Sequence, residues 1–241
     1  YVSIMRFLVK LGADIFNPDD VNLVMGQQDW SDGRKNNVIK AYTHFARLWN
    51  LEDQWDRPKM KPQQGLPRPP STEQVIALTS GASRKYSVIF KFMAQTGAIA
   101  MEVSIMTERS FDFERNQVFI KGCKGHKDRW VPMYLFGSEL PGLMQEFLNR
   151  YRGFPKNTTI LGKFRKYRDR TAKKTGDKPL MNVRCEDIRH WFATEYYKRY
   201  RDPFLLQDYM GHERFERTRI YTKLVPSERP SYVTRPVLTV E

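Results

Sequence analysis

Five prolines crowd into the nineteen residues from Glu52 to Pro70, in the run EDQWDRPKMKPQQGLPRPP. Proline fixes φ, removes a backbone donor and disfavours helix in the residue before it, so no long helix or central strand can cross this stretch. The 241-residue chain is therefore expected to form two folded parts joined by a semi-stiff spacer. The expected division is a helical domain over residues 1–52, a linker over 53–70, a larger domain over 71–225 and a C-terminal tail over 226–241. The first residue is Tyr1 rather than Met, so the helical domain is read as truncated at its N-terminus.

Composition narrows the class. Apolar residues at 40% and aromatics at 13% suffice for packed cores and argue against wholesale disorder. No run approaches the roughly 18 apolar residues of a membrane span, and the start YVSIMRFLVKLGAD lacks a cleavage pattern. Cys123 and Cys185 give no disulfide framework, and His44, His126, His190 and His212 show no metal-ligand spacing. No metal and no cofactor are expected, and the expected home is a reducing cell interior. The net charge is +14, yet residues 1–50 carry six Lys/Arg against five Asp/Glu. Nearly all the excess thus follows residue 50, and nucleic acid is the partner class it favours over a membrane or ribosomal surface.

Local signals fill in the elements. VSIMRFLVKLG has helical spacing and stops at Gly12; Asn17 and Pro18 open a second helix, and Ser31 and Asp32 a third. Val38, Ile39, Tyr42, Phe45, Leu48 and Trp49 form its apolar stripe, read as core. Ser71 to Gln74 starts the larger domain, KYSVIFKFMAQTG is a helix stopped by Gly97, and a short helix is expected over Met101 to Thr107. Phe111–Phe113, Gln117–Lys121 and Trp130–Met133 read as a small antiparallel meander, with helices again from Ser138 onward. The basic stretch GKFRKYRDRTAKK, with Lys163, Arg165 and Lys166, is either a solvated helical face or one turned to a DNA backbone.

The chemistry concentrates near the end. Tyr221 stands nine residues after His212 in GHERFERTRIY, and Arg189 lies upstream in EDIRHWFAT. A tyrosine hydroxyl, with a pKa of about 10, is a poor nucleophile at neutral pH. It becomes a good one when held in line with phosphorus while cations take up charge on the phosphate oxygens. The order and spacing therefore suit a DNA strand-transfer site.

These motifs, with KGCKGHKDRWVPM ahead of them, carry a resemblance. From about residue 71 to 225 the chain resembles the catalytic domain of the tyrosine recombinases, also called the phage-integrase family, and the residues before it look like that family's helical core-binding domain. An integrase of an archaeal plasmid or virus is the expected branch. The resemblance implies a mostly α fold with a small antiparallel β-sheet. It also implies cleavage through a 3′-phosphotyrosyl intermediate without metal or nucleotide, double-stranded DNA as partner, and a homo-tetramer of two DNA-bound dimers. It makes Tyr221 the nucleophile, Arg189 the second catalytic arginine, and His212 a donor to a non-bridging oxygen. Lys124 becomes the general acid. Lys121 and Lys127 compete for that role, or with Arg129 touch phosphate.

Two positions depart from the pattern. Glu186 stands three residues before Arg189, where the family usually has His or Lys; a carboxylate there could serve as base but repels phosphate. In TGAIAMEV, Ile99 occupies the place of the first catalytic arginine, while Glu102 matches the family's glutamate. Losing one charged donor to a transition state costs roughly 10²–10³ in rate. The chain is then an impaired enzyme, or one in which Arg84 or Arg109 reaches the site. A non-catalytic DNA-binding relative and a type IB topoisomerase are the alternatives. The tail after Tyr221 is expected to be a loose end or a contact to a neighbouring subunit.

Overall fold

The computed structural model describes residues 1–59 and 66–225, which fall into two compact units divided between Gly65 and Leu66. The tail expected to reach a neighbouring subunit lies outside the described residues.

The first unit is three helices: α1 (Val2–Lys10), α2 (Pro18–Gln27) and α3 (Asp32–Leu48). Asn17 caps α2 by accepting from the backbone of Asp19 and Asp20, with Pro18 pre-set at the first helical position. Leu8, Val21, Met25, Ile39 and Tyr42 make its core, and the Tyr42 hydroxyl donates to the Ile15 carbonyl at 3.0 Å. Two expectations change. Trp55, assigned to the spacer, is buried edge-on against Tyr42 and donates to Asn22 Oδ1 at 3.1 Å. Leu48 and Trp49, assigned to the core stripe, are 80% and 56% exposed. At about 100° per residue, Leu48 falls off the face carrying Val38, Tyr42 and Ala46, and Trp49 instead lies against the half-exposed Phe16.

The second unit is mostly helical around a three-stranded sheet. Its elements are α4 (Thr72–Gly81), α5 (Arg84–Thr96), α6 (Ala100–Ser104), β1 (Phe111–Asp112), β2 (Gln117–Ile120), β3 (Arg129–Pro132), α7 (Glu139–Arg150), α8 (Asn157–Thr175), α9 (Asp187–Tyr200), α10 (Pro203–Met210) and α11 (Glu216–Leu224). Ser71 and Gln74 bond reciprocally at the start of α4, the capping box that the sequence spells. The strands pair antiparallel in the order β1-β2-β3, with Val118 opposite Val131 and Ile120 opposite Arg129. Alternation sends Val118, Ile120 and Val131 inward and leaves Trp130 half exposed. The short helix begins and ends earlier than expected, at Ala100 and Ser104, and a 3₁₀ turn over Glu108–Ser110 follows. Helix α5 packs on α4, α7 and α9, and Phe90, Phe92, Phe147, Phe164 and Phe192 fill the space between.

Candidate active site

A buried charge network organises the site. Helix α5 stops at Gly97, whose φ of +68° only glycine adopts without strain, and whose missing Cβ would stand 2.7 Å from the Phe192 ring. The Gly97 carbonyl accepts from Arg189 Nη1 at 2.7 Å, and Arg189 Nη2 donates to the Met210 carbonyl. The Ile99 backbone N–H donates to Glu102 Oε2 at 2.9 Å. Glu102 is fully buried and accepts both Arg129 Nη1 and Nη2 at 2.9 Å, in a bidentate fork. His126 Nδ1 donates to Glu102 Oε1 at 2.9 Å, and Arg189 Nη1 lies 4.0 Å from Oε2.

Two guanidiniums thus face one carboxylate. Burial alone would raise the Glu102 carboxyl, but bonds from His126 and Arg129 and the charges of Arg129 and Arg189 outweigh it and hold it at about 2. Burial and the Arg129 charge lower Arg189 to about 10, so it stays cationic at neutral pH. Among these three groups one positive charge is in excess in a low-dielectric setting, which favours an anion beside Arg189.

The hairpin between β2 and β3 carries Lys124 in a left-handed conformation, φ +55°, followed by Gly125 at +80°. It docks on the end of α10: Lys127 N–H donates to the Gly211 carbonyl at 2.8 Å, and His126 bridges to His212. Gly211 also sits at positive φ, and a Cβ there would meet the Lys127 carbonyl oxygen at 2.7 Å. His212, buried next in the chain, shares a 2.9 Å hydrogen bond between Nδ1 and Thr218 Oγ1 of α11. Burial, then the charges of Arg189 and His126, push its imidazole down to about 3, so it is neutral.

Lys124 itself is exposed, with Nζ 3.6 Å from Glu186 Oε1 at the start of α9. Ile99, Lys124, Cys185 and Glu186 line a small cleft of about 30 Å³. Neither arginine expected as a stand-in for Ile99 lines it: Arg84 is paired with Glu146, and Arg109 is exposed in the 3₁₀ turn.

Tyr221 is almost wholly buried on α11, and its hydroxyl lies 2.9 Å from His190 Nδ1 on α9. Burial raises the phenol to about 12 while the Arg189 charge opposes it. Burial also lowers the His190 imidazole; Asp187 and Glu186 oppose that, and Arg184 and Arg189 add to it.

The expected residues therefore fall in two groups. Arg189, His212 and Tyr221 share the buried network, while Ile99, Lys124 and Glu186 share the cleft beside it. Lys121 and Lys127 are exposed on the hairpin, and Arg165 and Lys166 on α8, where Lys163 Nζ stands 5.8 Å from the Tyr86 ring centre. Arg129, expected to touch DNA, is instead buried, with each of its three nitrogens bonded: Nη1 and Nη2 to Glu102, and Nε to the Tyr209 carbonyl at 2.7 Å. Its Cβ shares the inward-facing register of Ile120 across the ladder, which takes the side chain to Glu102. Sequence reasoning gave no role to His190 or His126. Adjacency to Arg189 and to the Lys124 turn was their only signal.

Comparison with known proteins bears on the family and the fold. Residues 71–228 match the sequence pattern described as "Phage integrase family". "Tyrosine recombinase XerA" of Thermococcus onnurineus is 26% identical over 236 residues, covering 92% of this chain and 77% of the relative. Two solved structures share the fold. The Tn1549 transposon integrase in complex with transposon right end DNA has a TM-score of 0.68 at 16% identity, covering 91% of this chain and 86% of the other. The crystal structure of XerA recombinase has a TM-score of 0.52 at 23% identity, covering 91% and 83%.

Proposed function

The chain belongs to the phage integrase family, the tyrosine recombinases, and from that premise we propose that it cuts and rejoins double-stranded DNA through a 3′-phosphotyrosine at Tyr221. The observation that carries this reading is a buried phenol beside a network with one positive charge in excess. The scissile phosphate is the anion that fits there.

In this reading Arg189, braced by the carbonyls of Gly97 and Met210, presents its remaining donors to the phosphate. Neutral His212, its Nδ1 engaged with Thr218, offers Nε2 to a non-bridging oxygen. Tyr221 attacks phosphorus, the 5′-oxygen leaves with a proton from Lys124, and the phosphotyrosine keeps the energy of the broken bond for religation. Glu186 holds Lys124 near the cleft before DNA arrives. The helical unit and the exposed lysines and arginines of the hairpin and α8 supply sequence-independent phosphate contacts. Two DNA-bound dimers form the working tetramer, as expected from the resemblance.

Ile99 makes this chain an impaired enzyme. Arg129 is committed to Glu102 and the Tyr209 carbonyl, and Arg189 already fills the place of the second arginine, so neither replaces the absent guanidinium. That same shortage favours a second reading, a relative that binds DNA without cutting it.

A covalent-trap assay separates the two. The chain and its Tyr221→Phe and Ile99→Arg variants are mixed with nicked duplex whose arms were selected from random-sequence DNA by binding to this chain, then run on denaturing gels. The first reading expects a Tyr221-dependent adduct that forms at least tenfold faster in Ile99→Arg. Tight binding with no adduct in any variant selects the second.

A further inference from the structure

We infer that His190 is the proton acceptor for the attacking tyrosine, a role that rests on the strand-transfer reading above. Three observations carry it. The Tyr221 hydroxyl is buried, and its hydrogen bond among the described residues is to His190 Nδ1, at 2.9 Å. A buried phenol must lose its proton to a nearby base, since bulk water does not reach it. The other candidate acceptor, Glu186, is exposed and engaged with Lys124 at 3.6 Å rather than bonded to the phenol. His190 stands one helical turn beyond Glu186 on α9, so both lie along the same side of the helix.

Burial favours an acceptor rather than a donor. It disfavours a protonated imidazole more than any single charge does; the Asp187 charge opposes it, Arg184 and Arg189 add to it, Glu186 opposes it, and the net effect is to lower the His190 imidazole. His190 is therefore neutral in the resting chain, with a lone pair available to the phenol. At rest the proton stays on oxygen, since the phenol is held at about 12. As Tyr221 Oη bonds to phosphorus its acidity rises, and the proton passes to Nδ1. The P–O5′ bond breaks and the leaving oxygen takes its proton from Lys124. Religation reverses each transfer: the 5′-hydroxyl gives its proton to Lys124, and the departing phenolate recovers its own from His190. No oxidant, reductant or other co-reactant is needed.

The test is single-turnover adduct formation by the full chain on the same selected nicked duplex, across pH, in both the Ile99 and Ile99→Arg backgrounds. His190→Ala and His190→Asn should bind this DNA as the unmodified chain does and melt cooperatively, yet form adduct roughly 10²-fold more slowly. The unmodified chain should lose rate as acid protonates His190, below the usual histidine range. His190→Asn should lack that loss, and added imidazole should restore part of the His190→Ala rate. Rates and pH profiles matching the unmodified chain would overturn the role of His190 alone. So would slow variants with an unchanged acid limb and no imidazole rescue, which indicate packing only. Absence of any Tyr221-dependent adduct in either background overturns the strand-transfer reading itself, and this role with it.

Discussion

The two units solve the problem of a core in opposite ways. In the first, the buried side chains are apolar or aromatic throughout, with polar tips such as the Tyr42 hydroxyl satisfied by backbone. In the second, every buried polar or charged side chain among the described residues is found, including Glu102, Arg129, Arg189, Asp187 and His212. Burying a charge is costly unless it is paired and hydrogen-bonded, so such a cluster is weak evidence for stability. The comparison teaches that the second unit accepts a less favourable core to hold two buried guanidiniums around one carboxylate.

Removing one partner should break the comparison most sharply. Glu102→Ala leaves Arg129 and Arg189 buried without their carboxylate, and should cost about 3–5 kcal/mol. Segment-resolved hydrogen exchange should show the loss in the second unit only. An equal loss of protection in residues 1–59 would refute the independence of the two cores. The double replacement Glu102→Leu with Arg129→Met should recover most of that stability while cleavage stays lost.

Acid should open the same difference. Glu102 is held at about 2 against an ordinary 4.5, so its contribution is complete above 4.5 and disappears as pH falls towards 2. His212 is held at about 3 against 6.5, so the unfolded chain binds the extra proton throughout that window. Stability of the second unit should therefore decline already below pH 6.5 and faster below 4.5. His212→Asn should remove the first part of the decline in equilibrium denaturation.

An apolar truncation gives the converse. Leu8→Ala, at a fully buried position of α1, should cost about 2–5 kcal/mol in the first unit and leave exchange around Tyr221 unchanged. Gly211→Ala should cost about 1–3 kcal/mol through its positive φ and loosen the docked hairpin. Faster exchange at Lys127 N–H is the expected sign. Smallest is Glu186→Gln: its ion pair with Lys124 is exposed on both sides, so the melting midpoint should shift by less than about 1 kcal/mol equivalent. An effect on cleavage much larger than that would show that the pair serves Lys124 rather than the fold.

Much of this was legible in the chain. Asn17, Ser31 and Ser71 marked helix starts, Gly97 a helix stop, and the turn residues between Phe111 and Met133 the hairpins, because capping and turn chemistry act over three or four residues. The proline run divided the chain, though Trp55 shows that the first core reaches past its start. Motif order pointed to Arg189, His212 and Tyr221, and the fold draws them around one network.

What local rules could not decide were the partners of charges. Strand alternation puts Arg129 on the inward face with Val131, but its partner Glu102 lies 27 residues away and is not marked by any local rule. His190 and Tyr221 are 31 residues apart, on helices whose packing alone sets a 2.9 Å contact. Periodicity likewise placed Leu48 on a stripe that the real helix face leaves behind. The sequence by itself marked the capped helix starts and which reactive residues the chain owns. Tertiary structure decided which cations are buried in pairs and which stay exposed, because pairing depends on burial and distance rather than on neighbours along the chain.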